Sequence, residues 1–288
     1  MSVDLEEYYH AWALSSRLER SQWEACTSRI EGTTAKVLDL FAEASVTATF
    51  FVLGWVAQRH PGLVRDIAAQ GHELASHGYA HKRVGEQDPD VFFEDVRHTR
   101  LLLEDLAGVP VNGFRAPNFS IDRSTWWAFE RLAEAGYAYS SSVHPIRHDH
   151  YGAPDAPPRP FQPTAADLIE IPVSTIEVLG RRVSCAGGGH FRLLPYRWSR
   201  WCLDRFVNSG DSPAAFYFHP WELDPDQPRV SGLPLRARIR HYTHLGRMED
   251  KLRRLLGDFR WGRFDEVFKI VPGLDSSTSE PCRQQRTA

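Results

Sequence analysis

Apolar positions in the first half of the chain alternate between short continuous runs and longer periodic stretches. Residues 46–53 (V-T-A-T-F-F-V-L) are a continuous apolar run, the pattern of a strand covered on both faces. A short strand is expected over 1–5. Between the two, Val37, Leu38, Leu40 and Phe41 recur at helical spacing after Gly32-Thr33-Thr34. Pro61 opens a further helix through Leu63, Val64 and Ile67, and Gly71 stops it ahead of a third strand that leads to His77. Asp88 before Pro89 marks the N-cap of a helix running through Val91, Phe92, Val96, Leu101 and Leu102 to Gly108. Strands over 109–115 and 137–142 then flank a helix over 124–135. Strand and helix alternate throughout, which implies parallel pairing and an α/β class.

The second half is less regular. The proline-rich stretch 146–163 is too long for a plain connection and reads as a lid or groove wall. Residues 168–172, 176–178 and 216–218 predict further strands. Helices are expected from about 195, over 235–242 and over 247–259, and 264–268 reads as a segment closing the sheet. The run Ala186-Gly187-Gly188-Gly189 lets the backbone approach something closely, and it is no phosphate loop because no Gly-Lys-Ser/Thr follows. With no repeat and no linker, residues 1–272 read as one domain with a C-terminal helical extension. Residues 273–288, rich in Ser, Gln and Arg, read as a disordered tail.

Composition changes this picture little. With 42% hydrophobic and 25% charged residues the chain is an ordinary globular one, and a net charge of −3 gives no global case for nucleic acid. The four cysteines form no C-x-x-C pair and are expected reduced. The start M-S-V-D-L-E-E has no basic-then-apolar leader, and no run of about 18 apolar residues occurs, so no integral membrane segment and a cytoplasmic location are expected. Nine Trp and nine Tyr suit a carbohydrate groove, with core packing as the ordinary alternative.

Candidate chemistry gathers at the ends of the expected strands. His77 and His81, four residues apart, would lie on one face of a helical turn, where two imidazoles can reach one small cation. Asp4 and Glu6 alternate along the first strand and share a face. If that face meets the His pair, the result is a two-His, one-carboxylate metal site with a second carboxylate left for proton transfer. Arg115, ahead of Ala116 and Pro117, is set at a strand end by a rigid turn, and Phe216, Tyr217 and Phe218 deliver His219. The ends of parallel strands are where an α/β barrel places its chemistry.

In this order the segments S-V-D-L-E-E, S-H-G-Y-A-H, F-R-A-P-N-F and F-H-P-W-E resemble the motifs of the polysaccharide deacetylases of the NodB-homology type, carbohydrate esterase family 4, from residue 2 to about 222. The stretches Y-S-S-S-V-H-P-I-R-H-D-H-Y-G and G-G-G-H-F-R-L-L-P-Y are similar to the subgroup found with bacterial exopolysaccharide and exosortase loci. The resemblance implies a distorted (β/α) barrel of about seven parallel strands, related to the TIM barrel. It implies a divalent metal, commonly zinc with cobalt or nickel as alternatives, on Glu6, His77 and His81. Asp4 would be the general base, Arg115 its anchor and His219 the general acid, in hydrolysis of an N-acetyl group from a glycan or lipid-linked sugar. Pro117, Asn118, Phe119, Gly188, Gly189, Trp221 and Glu222 are the expected substrate contacts. Glu6 stands where most relatives have Asp, which leaves Glu7 as a competing ligand. Ser140 also stands where many have Asp, so the support that Asp gives is either absent or supplied from elsewhere, with Asp149 as a candidate. An amidohydrolase acting on an N-formyl sugar or a small cyclic amide, and an inactive carbohydrate-binding member, are the competing functions.

Overall fold

The structure is a computed structural model that describes residues 1–148, 151–210 and 212–270. The elements run in the order β1 (Ser2–Leu5), α1 (Ile30–Glu43), β2 (Thr49–Val52), α2 (Gly54–Arg59), α3 (Pro61–Ala69), β3 (Glu73–Ser76), α4 (Pro89–Ala107), β4 (Gly113–Phe114), α5 (Ala128–Glu134), β5 (Tyr139–Ser140) and β6 (Ile169–Glu170). There follow β7 (Thr175–Val178), β8 (Arg181–Ser184), α6 (Gly188–Leu193), α7 (Tyr196–Asn208), β9 (Tyr217–Phe218), α8 (Leu235–Tyr242), α9 (Met248–Asp258) and α10 (Phe264–Val267).

Seven strands form one parallel sheet in the order β6-β5-β4-β3-β2-β1-β9, as the alternation of strand and helix requires. The central strands β1, β2 and β3 are buried on both faces, in keeping with the reading of residues 46–53 as a buried strand. Helices α1, α3 and α4 bury Val37, Phe41, Val64, Ile67, Phe92 and Val96 in one core with Val3, Phe50 and Leu74 from the strands. The two edge strands form no ladder together. Instead Ser174 N donates to Ala215 O at 3.4 Å and Ala215 N to Ser174 Oγ at 2.8 Å, so a pair of hydrogen bonds links the chain after β6 to the chain before β9. The barrel is therefore distorted and all but open at this seam.

The strand expected over 176–178 is present as part of β7, which pairs with β8 in a separate antiparallel hairpin. Two expectations need correction. Residues 264–268 do not close the sheet. Phe264–Val267 instead form the short helix α10, whose Phe264 packs on Phe51 and Tyr139. The expected strands over 109–115 and 137–142 pair only over two residues each, Gly113–Phe114 and Tyr139–Ser140. The tail 273–288 lies outside the described residues, and no helix among the described ones is long and apolar enough to cross a membrane.

Candidate metal-dependent active site

β1 carries Asp4 inward, and Glu6 follows at its C-terminal end on the same side. Both are buried. His77 follows β3 directly, but the chain there is no helical turn, contrary to expectation. Gly78 at φ +70° and His81 at φ +50° fold residues 77–81 into an irregular loop that brings the two imidazoles to 5.4 Å between ring centres. A non-glycine residue at positive φ is uncommon, and here it turns the His81 ring back toward Glu6. His81 Nε2 lies 2.8 Å from Glu6 Oε2, an oxygen with no hydrogen-bond donor among the described residues.

The donors fit a small divalent cation. One ligand atom from each of Glu6, His77 and His81 falls within 4.8 Å of the others, and all three residues are buried. His77 Nδ1 lies 2.8 Å from Arg115 O, a contact that fixes the ring as the Nδ1–H tautomer and leaves Nε2 free to ligate. Burial pushes the His77 imidazole down to about 4, so the ring is neutral as a ligand must be. Burial alone would raise the Glu6 carboxyl, but the facing His81, His219 and His77 rings outweigh it and hold the group ionised. Trp221 Nε1 donates to Glu6 Oε1 at 3.1 Å and sets the rotamer.

Glu7, the competing ligand, faces the other way. Its Oε1 accepts from Arg29 N at 2.8 Å, Ile30 N at 3.1 Å and Ser28 Oγ at 2.5 Å, so it satisfies backbone donors at the N-terminus of α1. That long-range cap also explains why α1 begins at Ile30, ahead of the Gly-Thr-Thr start expected from sequence.

Asp4 Oδ1 receives Arg115 Nη1 at 2.5 Å in a fully buried pair. The guanidinium is itself held by Ser2 Oγ at 2.9 Å, Ser141 Oγ at 2.9 Å and Ser141 O at 3.1 Å, and lies over the Phe51 ring. Opposite stands His219, whose Nε2 is 3.9 Å from Asp4 Oδ2 and 3.6 Å from Glu6 Oε1. Its Nδ1 bonds Glu222 Oε1 at 2.8 Å, and Glu222 Oε2 is 3.2 Å from Arg192 Nε. Burial would lower the His219 pKa, but Glu6 and Glu222 overcome it and push the ring up to about 9.

These groups meet in a cleft of about 140 Å³. Of the expected substrate contacts, Asn118, Phe119, Gly189 and Trp221 line it. Pro117, Gly188 and Glu222 do not. Pro117 and Glu222 are buried, Glu222 behind His219, and Gly188 packs on the Tyr217 ring. Asn118 and Phe119 reach the cleft through two consecutive positive-φ residues. Tyr151, from the proline-rich excursion, also lines the cleft.

Sequence reading missed two buried charges. Arg192 lies in the G-G-G-H-F-R segment and holds α8 by donating to the His241 carbonyl and, at 2.5 Å, to Arg240 O. Glu170 pairs in register with Ser140. Its Oε1 accepts from Ser142 N at 2.9 Å and Val143 N at 2.8 Å, while Ser142 Oγ accepts from Ala116 N at 2.8 Å. Glu170 thus places a carboxyl beside Ser140 from the adjacent strand, and Asp149 lies outside the described residues. An acid in the apolar run L-I-E-I-P was the available signal.

Residues 23–139 match the family model described as polysaccharide deacetylase, and residues 141–269 match one described as a domain of unknown function (DUF3473). A peptidoglycan-N-acetylglucosamine deacetylase of Bacillus cereus is 33% identical over 99 residues, 34% of this chain and 36% of its own length. A chitooligosaccharide deacetylase of Rhizobium leguminosarum bv. trifolii is 41% identical over 66 residues, 23% of this chain and 31% of its own. The chain thus spans about a third of the length of these curated relatives. Among solved structures, a polysaccharide-deacetylase-like protein of Mycobacterium smegmatis superposes with a TM-score of 0.59 at 21% identity, covering 94% of this chain and 91% of the other. An allantoinase superposes at 0.55 and 16% identity, covering 82% and 71%. Both likenesses bear on the fold alone.

Proposed function

We propose, from the premise that this chain carries a polysaccharide deacetylase domain of the NodB-homology type, that it hydrolyses N-acetyl groups on an N-acetylated sugar of a bacterial surface polysaccharide or its lipid-linked precursor. The observation that carries the reading is the convergence, in one cleft, of the Glu6-His77-His81 donor set with a buried Asp4–Arg115 pair and the oriented His219 ring. We take residues 1–272 as one catalytic unit, since both matched segments supply side chains to that cleft.

A divalent cation on Glu6, His77 and His81, zinc by the chemistry of the donors, would supply Lewis-acid polarisation of the amide carbonyl and of a water. Asp4 acts as general base and takes the proton of the attacking water. Arg115 and Ser2 keep its carboxylate in one rotamer through that step. Attack on the amide carbon gives a tetrahedral oxyanion. His219, charged through Glu222 and Glu6, donates its Nε2 proton to the departing amine, so that the C–N bond breaks with acetate and an amino sugar as products. Trp221, stacked at 5.1 Å on His219, keeps that ring in its plane.

Acetate release from N-acetylglucosamine oligomers, abolished by chelator and by Asp4→Asn, is the expected result. Formate release, or ring opening of a cyclic imide without acetate release, would move the assignment to an amidohydrolase of the same fold. A zinc-loaded protein that turns over no amide would be a carbohydrate-binding member. A metal-bound crystal structure in which His77 and His81 do not both lie at about 2.0–2.1 Å from one ion would rule out the ligand set.

A further inference from the structure

α8 stands at the mouth of the cleft, where Arg240 and His241 contribute to the lining. Its inner side is anchored. His241 and Tyr242 are buried, Tyr242 Oη accepts from Val230 N at 2.9 Å, and the Arg240 carbonyl is held by Arg192. Its outer side combines exposed aliphatic side chains with arginines. Leu235 is 67% exposed and Ile239 48% exposed, and at i, i+4 they share one helix face. Arg236, Arg238 and Arg240 on the same helix are also exposed. Residues 227–248 hold Arg229, Arg236, Arg238, Arg240 and Arg247 and no Asp or Glu, in a chain whose net charge is −3.

The geometry points to docking of this face on a bilayer that carries anionic phospholipid headgroups. Charge complementarity selects the occupant: an arginine cluster without one acid matches a negative leaflet. The aliphatic pair selects a bilayer over an acidic glycan. Sugars are held in concave, donor-lined grooves, whereas Leu235 and Ile239 project from a convex helix, the arrangement that seats apolar side chains at the headgroup–acyl boundary with arginines around them. Docking through α8 turns the cleft toward the membrane surface, and a glycan still attached to a lipid carrier would be presented there. That last consequence rests on the deacetylase reading; the docking itself does not.

The test is co-sedimentation of the full-length protein with vesicles of about 30% phosphatidylglycerol in phosphatidylcholine, and with phosphatidylcholine alone. Binding to the anionic vesicles only, weakening as salt rises, is expected. Leu235→Ser with Ile239→Ser, and separately Arg236→Glu with Arg238→Glu, should each lower the bound fraction at least about tenfold. Both double variants should keep the wild-type melting temperature and acetate release from soluble oligomers. Absence of wild-type binding to anionic vesicles would overturn the proposal, as would equal binding by the variants. A wild-type dimer in solution that the same variants dissolve would assign the face to a second copy of the chain instead. Because sedimentation needs no turnover, a failure here is separable from a failure of the catalytic reading.

Discussion

Glu170 is a carboxyl group sealed behind the Arg115 loop, and its surroundings dictate how it must behave. Burial pushes its pKa from 4.5 up to about 7, with the Ser140, Val143 and Ser142 hydrogen bonds opposing the rise. A carboxyl that binds its proton more tightly folded than unfolded adds stability in full below pH 4.5, and that contribution is lost as pH rises through about 7. Glu170→Gln removes this component while keeping an oxygen for the two backbone donors. The stability difference, wild type minus variant, should therefore fall by at most about 3 kcal/mol between about pH 5 and pH 8, measured by urea denaturation. A difference that grows with pH would refute the assignment. Glu170→Ala strands two buried N–H groups and should cost about 2–4 kcal/mol at any pH. Trp221→Phe tests a neighbouring contact: it keeps the ring but loses the donor to Glu6 Oε1, and zinc affinity read by competition with a chelating dye should fall about 10–100-fold. Zinc affinity equal to wild type would remove Trp221 from the support of the site. At this scale the candidate site was largely legible, because Asp4, Glu6, His77, His81, Arg115 and His219 all meet. Glu6 against Glu7 was not legible, since what removes Glu7 is a helix terminus 22 residues away, and neither Arg192 nor Glu170 has any partner nearby in sequence.

Elements position these residues by ending early. β4 and β5 each pair for two residues only, and Arg115 and Ser141, which follow them directly, bond each other. Sequence periodicity marked where these strands would be but not how soon they stop. The glycine run shows the opposite case. Its expected close approach is to β9: a Cβ at Gly187, which has φ +93°, would stand 1.8 Å from Tyr217 O. Backbone cannot yield there as a side-chain tip could. Gly187→Ala must therefore push α6 away from β9, displacing Arg192 from Glu222. The expected outcome is a loss of roughly 3 kcal/mol or more in stability, or no folded protein, by thermal denaturation. Gly32, with open space around its Cβ position in the first turn of α1, is the control, and Gly32→Ala should be neutral to stabilising. Equal behaviour of the two variants would show that the approach of α6 to β9 is not tight.

The seven-stranded sheet draws its strands from both matched segments and from β1 ahead of them, although the two family models divide near residue 140. β9 lies against β1, with Ser2 opposite Tyr217 and Val3 opposite Phe218, while Ser2 N and Oγ both donate to Phe216 O. Parallel order could be read from the alternation of strand and helix, but this return of the last strand to the first could not, because nothing local records which edge a strand joins. The topology makes a definite demand. Residues 1–140 contain Asp4, Glu6, His77, His81 and Arg115, yet alone they would leave the apolar β1 edge bare and Glu6 without Trp221. Expressed separately, residues 1–140 and residues 141–288 should each show no cooperative thermal transition. Mixed and refolded together, they should regain near-ultraviolet circular dichroism and bind one zinc per pair. If the first segment alone melts cooperatively and holds zinc as tightly as the intact chain, the two halves are independent units and β9 is an accessory to the barrel rather than part of it.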